Sequence, residues 1–359
     1  MTVSLLPTRP SSTPHATVAL DLTGLGARTH DPSGDLPVEK ADLARLASYT
    51  RAAHDAGVDF VALGDRFRLR SDHAVRPEGW RDPVLAARRI GPHAGTAGIV
   101  PAVPLRRGDL TAVADELAQV PHNGSWAGVQ LGAPGAGRDA LAAALRAVTS
   151  ARDRRTGGRA PAPRVVLPVS TAEEVELAGE FGDVVRIREH DLEWARELRY
   201  AVRAAARTAG RPEVRVLVDL HTVISTDRAA ARERAGLVAD IAGDDAPWAG
   251  ALSAVGTVQD AADTVQTWLT AGAADGFVVL PGSLPADVLA LLRGLLPELR
   301  ARGLVAEQAV ADRPTVRRAA AAGAAGATGG AGRATPAAVR AVRTTAGTRD
   351  RVLAATPVA

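Results

Sequence analysis

Two neighbouring hydroxyl residues, Ser170 and Thr171, stand where the apolar run RVVLPV gives way to the helix-forming segment AEEVELAG. Free N–H groups at a helix start, joined by hydroxyl donors, suit a phosphate. The same residues also have a purely local use. Ser170-x-x-Glu173 has the spacing of a capping box, and Glu173 and Glu174 would put two carboxylates beside any anion held there. Other chemistry-bearing residues fall at the ends of apolar runs. They are Thr23 after ATVALDL, Asp65 closing VDFVALGD, Pro104 to Arg107 after TAGIVPAV, and Gln130 in SWAGVQLG. Further on come Arg186 and Arg188 around GDVVRI, His221 inside VRVLVDLHTVIS, and Gly282 with Ser283 after GFVVLP.

Several chemistries are excluded by what is missing. With no cysteine, the chain has no disulfide, thiolate ligand or cysteine nucleophile. His30, His54, His73 and His93 show neither H-x-x-x-H nor H-x-H spacing, so no metal site is expected. His54 falls in a helical stretch and reads as a surface residue. His221, in an apolar strand, reads either as a hydrogen-bonded core histidine or as a base. Neither G-x-S-x-G nor a P-loop occurs.

The elements that must position these residues alternate in type. Ala16 to Leu22 predicts the first strand, followed by a long Gly/Pro loop. A helix over Ala41 to Ala56 stops at Gly57, and VDFVALGD forms the second strand. A helix from Pro83 to about His93 leads to a third strand in TAGIVPAVPL. Asp109 caps a helix to Ala118, SWAGVQLG is the fourth strand, and Arg138 to Ser150 is helical. Strands at Arg164 to Val169, Gly182 to Ile187 and Val214 to Ser225 precede helices at Ala172 to Gly179, Leu192 to Ala209 and Arg228 to Ala242. Thr257, with Asp260 three residues on, starts a helix that Gly272 stops; GFVVLP is the eighth strand, and Ala286 to Arg302 closes the series before Gly303. Eight strands, each with a helix after it and no hairpin signal, fit a (β/α)8 barrel. A doubly wound open sheet is the competing architecture, but TGLGARTH lacks the third glycine of its nucleotide fingerprint and the helix that should follow.

The 359 residues carry a net charge of +3. From Asp312 onward there are eight arginines against two aspartates, which leaves residues 1–311 at about −3. The basic character therefore belongs to an Ala/Gly/Thr/Arg tail with too little aliphatic bulk to bury, and disorder is expected there. Arginine segments without interleaved aromatics exclude single-strand nucleic-acid stacking. No apolar run reaches the ~18–20 residues of a membrane span, and no secretory signal opens the chain. Residues 1–15 read as irregular, 16–305 as the barrel and 306–359 as the tail, in a cytoplasmic protein.

The order G-T-x-x-x-x-A-D-x-x-x-x-W from Gly256, A-G-A-A-D-G-F from Ala271 and P-E-L-R-A-R-G-L from Pro297 resembles the C-terminal signature of the bacterial luciferase-like flavin monooxygenases. It is most similar to the branch with the nitrilotriacetate and dibenzothiophene-sulfone monooxygenases. The resemblance implies a luciferase-like TIM barrel with a shortened insertion after strand four, where only about 30 residues stand. It implies reduced FMN delivered by a separate flavin reductase, O2 and a small organic substrate as reactants, and a homodimer. By the same resemblance, Ser170 and Thr171 hold the FMN phosphate. SWAGVQLG matches a cofactor-lining strand through Trp126, with Ala127 replacing its asparagine and Gln130 at the ring edge. VDFVALGDRF places Asp65 at the cofactor mouth, and TAGIVPAVPL places Val103 and Pro104 in the wall beside the flavin. A deazaflavin-dependent oxidoreductase and a catalytically silent accessory barrel remain as alternatives.

Overall fold

The computed structural model describes residues 15–25, 43–67, 70–71, 74–75, 82–105, 110–120, 124–132, 137–155, 163–211, 214–243 and 248–307. Apart from residues 15, 306 and 307, the segments expected to be irregular or low in complexity lie outside these residues. The chain divides into Met1–Ala309 and Val310–Ala359, and only the first unit is described.

That unit is a closed ring of parallel strands. In chain order the elements are β1 (Thr17–Asp21), α1 (Leu43–Asp55), β2 (Phe60–Leu63), a small hairpin of β3 (Arg70–Ser71) and β4 (Ala74–Val75), and α2 (Asp82–Ile90). They continue with β5 (Gly98–Val103), α3 (Leu110–Leu117), β6 (Trp126–Leu131), α4 (Arg138–Arg155), β7 (Arg164–Pro168) and α5 (Ala172–Phe181). Then come β8 (Val184–Ile187), α6 (Leu192–Thr208), β9 (Arg215–Ile224), α7 (Arg228–Ala242), β10 (Leu252–Gly256), α8 (Val258–Thr270) and β11 (Gly276–Pro281). The last helix is α9 (Ala286–Ala290), a π-helical turn over Leu291–Leu295, and α10 (Leu296–Ala301). The ring runs β1–β2–β5–β6–β7–β8–β9–β11 and closes on β1, every pair parallel. This is a (β/α)8 barrel, and all eight expected strands are its staves. Among the described residues no helix is long and apolar enough to cross a membrane.

Two elements escaped the sequence reading. One is the β3–β4 hairpin after β2. The other is β10, a ninth parallel strand. β9 is long enough to pair with β8 over Arg215–Val218 and then with β10 over Leu220–Ile224 on the same edge.

Each stave is buried on both faces, as parallel strands under a helix layer must be. Ala19, Phe60, Ala62, Val100, Val166, Val184, Leu217 and Val278 fill the ring; the alternate residues pack under the helices. Trp126 closes the floor, edge-on to Phe60 at 5.5 Å and with the Arg164 guanidinium 4.2 Å from its ring. Gly98 beside it must lack a side chain, since a Cβ there would lie 2.2 Å from the indole.

At this N-terminal end a bracket recurs three times. Asp59, Asp183 and Asp275 each precede a strand, and each donates its N–H to the carbonyl of Val18, Val165 or Val216 on the neighbouring strand. Each carboxylate then takes that same residue's N–H, at 2.7, 2.8 and 2.9 Å. Backbone groups that would otherwise end the ladder unpaired are thereby satisfied. Asp275 also pairs with Arg199 and Arg203 at 2.6 and 2.7 Å. The D-G-F segment is thus a structural seam at the floor, where a Cβ on Gly276 would lie 2.0 Å from the Thr17 carbonyl oxygen.

Candidate active site at the barrel mouth

Ligands of (β/α)8 barrels lie at the C-terminal ends of the strands, and here that end carries buried charge. Arg186 projects inward one layer above Val184 of β8 and is 7% exposed. Its Nε donates to Asp219 Oδ1 of β9 at 2.9 Å, and its Nη1 donates to Gln130 Oε1 of β6 at 2.9 Å. Both terminal nitrogens reach Asp21 Oδ2 of β1 at 3.4 Å. The other oxygen of Asp21 takes the Thr23 N–H at 2.9 Å, which fixes the carboxylate as the chain leaves the strand. Burial works against the Arg186 charge, but Asp219 and Asp21 outweigh it and raise its pKa. Burial raises Asp219 against the pull of Arg186. Two carboxyls share the Arg186 guanidinium, and Arg188 adds a second positive charge acting on Asp219.

His221 lies one inner position above Asp219. It is 6% exposed, and its Nε2 has no hydrogen-bond partner. Its register partners are Ser253 of β10 and Leu280 of β11. Burial pushes the imidazole pKa down to about 4, with Arg188 and Arg186 adding to the effect and Asp21 opposing it. At neutral pH the ring is therefore uncharged, and its unused nitrogen can donate or accept one hydrogen bond.

The turn at Ser170 and Thr171 is where expected, at the end of β7, but both N–H groups and the Ser170 hydroxyl are already used. The cap is Thr171 with Glu174, not Ser170 with Glu173. Glu174 Oε2 accepts from Ser170 N at 2.7 Å, Ser170 Oγ at 3.0 Å and Thr171 N at 3.0 Å. Thr171 Oγ1 accepts from Glu174 N at 3.3 Å. The following helix starts on this face also carry side-chain caps: Asp191 takes the Trp194 N–H at α6, Asp227 takes the Ala230 N–H at α7, and Thr257 with Asp260 boxes α8. Before α9, Ser283 N and Oγ donate to the buried Asp287, which also takes the Ile224 N–H and pairs with Arg234.

Of the residues singled out from sequence, Gln130, Arg186 and His221 share the mouth. Asp65 sits exposed on the turn after β2, at the rim. Val103 requires correction: it is 1% exposed in the helix-facing layer with Ile99, and the inward residue beside Gln130 is Ala102. Asp21 and Asp219 were missed, although each is the lone acid in an apolar strand.

No model of a known protein family matches the sequence, and no curated protein matches it. Among solved structures the fold recurs widely. EDTA monooxygenase (EmoA) from Chelativorans sp. BNC1 is 18% identical with a TM-score of 0.64, the match covering 81% of this chain and 95% of that one. Riboflavin lyase (RcaE), solved with modified FMN and its substrate riboflavin, is 16% identical at 0.62, covering 81% and 93%. An F420-dependent secondary alcohol dehydrogenase, solved with an F420–acetone adduct, is 13% identical at 0.55, covering 80% and 99%. These likenesses establish the barrel fold, and the neighbours include flavin monooxygenases of the luciferase-like kind that the sequence resembles.

Proposed function

We propose that this chain is a flavin-dependent oxidoreductase of the luciferase-like class, a monooxygenase that uses reduced flavin from a separate reductase, O2 and a small organic substrate. The observation that carries this reading is the mouth itself. A polar layer of Asp21, Gln130, Arg186 and Asp219, topped by a neutral His221 with an unused nitrogen, crowns an otherwise apolar barrel whose fold is shared with EDTA monooxygenase and riboflavin lyase.

The fit to a flavin differs between its two ends. The ring end fits: an edge of alternating donors and acceptors meets the Gln130 amide and His221 Nε2, over a floor of fixed charge. The anionic end of FMN does not fit the turn expected for it, because Glu174 occupies the donors of Ser170 and Thr171. What the chain's own residues do is clear without it. Arg186 holds Gln130, Asp21 and Asp219 in one orientation, and the unused nitrogen of His221 can donate or accept one hydrogen bond. Asp65 stands at the entrance. A homodimer and a cytoplasmic location belong to the same proposal.

The occupied turn favours a second reading, a silent barrel that serves as an accessory subunit. Oxygen uptake decides between them. With a flavin reductase, NADH and candidate substrates, the enzyme reading expects uptake that depends on substrate and falls at least tenfold in Arg186→Met. Anaerobic titrations showing no binding of any reduced flavin would refute it.

A further inference from the structure

We infer that the site recognises a flavin by its ring and excludes the phosphate, so that riboflavin binds as tightly as FMN or tighter. This rests on the flavin reading above and narrows its ligand class. A phosphate at a helix start needs unshared N–H and hydroxyl donors. At α5 the Ser170 N–H and hydroxyl and the Thr171 N–H converge on one oxygen of Glu174, and the Thr171 hydroxyl accepts from the helix backbone.

Charge reinforces the geometry. Glu173, Glu174 and Glu176 stand in the first turns of α5, where Arg138 pairs with Glu176 at 2.6 Å. An incoming phosphate would meet a surplus of negative charge and would have to break an intact capping box. Nor do the next helix starts offer an alternative. Those of α6, α7 and α8 each hold a side-chain carboxylate, and the guanidiniums of Arg228 and Arg234 are tied to Asp260 and Asp287. A neutral ribityl chain carries no charge to repel and can exchange its hydroxyls with these groups. The selective step is therefore binding, and Glu174 is the residue that sets it.

The test is an anaerobic titration of the full chain with dithionite-reduced FMN and reduced riboflavin, followed by absorbance and fluorescence. The expected result is a riboflavin Kd equal to or below that of FMN. In Glu174→Gln, which retains an acceptor for the cap and removes the charge, FMN should tighten about tenfold while riboflavin stays within about twofold. A general loosening of the turn would move both ligands together, and that result would overturn the role given to Glu174. FMN binding tenfold tighter than riboflavin in the unaltered chain would overturn the inference, leave the flavin reading standing, and send the phosphate to another rim cation such as Arg66. Binding of neither flavin would overturn the flavin reading and the inference with it.

Discussion

The two ends of the barrel use the same residue type for opposite purposes. At the floor, Asp59, Asp183 and Asp275 bind backbone of the adjacent strand, and Trp126 seals the interior. At the mouth, Asp21 and Asp219 surround a buried guanidinium, and His221 keeps a nitrogen in reserve. A carboxylate that completes a ladder has its lone pairs committed. One that shares a guanidinium with a second carboxylate is held by charge instead of by backbone. The difference teaches where to look for chemistry: in groups left with something unspent, not in acids as such.

Substitutions can break this contrast. Gly276→Ala at the floor should have the largest effect, because its Cβ would lie 2.0 Å from a carbonyl oxygen of β1. We expect insoluble protein or a loss above about 4 kcal/mol, read by expression and urea denaturation. A soluble variant close to the parent would show that β1 can shift. Arg186→Met comes next. It strands two buried carboxylates and should cost about 3–5 kcal/mol, and Asp219→Asn in the same chain should restore part of that loss. If the single variant melts like the parent, the mouth layer is not an interlocked unit.

His221 sharpens the comparison through pH. Its folded-state pKa is about 4 against the ordinary 6.5, so folding favours the neutral ring. Its contribution is complete above pH 6.5 and is lost as pH falls toward 4, amounting to about 2–3 kcal/mol between pH 7 and 4.5. His221→Gln should remove that share of the acid destabilisation, measured as the difference between urea midpoints at the two pH values. An identical pH dependence in the variant would place the acid sensitivity elsewhere. The smallest effect belongs to Asp183→Asn at the floor, which keeps an acceptor for the Val165 N–H but weakens the pair with Arg211. A loss of about 1 kcal/mol is expected, with flavin binding unchanged.

The ring was legible because strands buried on both faces leave continuous apolar runs, and helices end at glycines. Gly57, Gly210, Gly272 and Gly303 all adopt positive φ, between 67° and 76°. The same two-sided burial hid the facing of side chains. In GIVPAV nothing alternates, so the sequence does not tell Ala102 from Val103 as the inward residue. The cap slipped by one place because Ser170-Thr171 and Glu173-Glu174 are doublets that satisfy the spacing in either register. β10 was hidden by its shortness and small residues, in LSAVG. Asp21 and Asp219 announced themselves as acids in apolar strands, but the partner of Asp21 lies 165 residues away, beyond the reach of any local pattern.

The ninth strand changes the shape of the vessel. Where β8 stops, β10 inserts beside β9, with Leu252 N bonded to Glu189 O and Arg188 reaching Ala249 O. β10 thus takes, at the lip, the place beside β9 that β8 holds at the base. Diameter at the entrance and tightness at the base are set by different segments of chain, so changes within residues 248–257 can reshape the entrance while Trp126 and its neighbours stay closed.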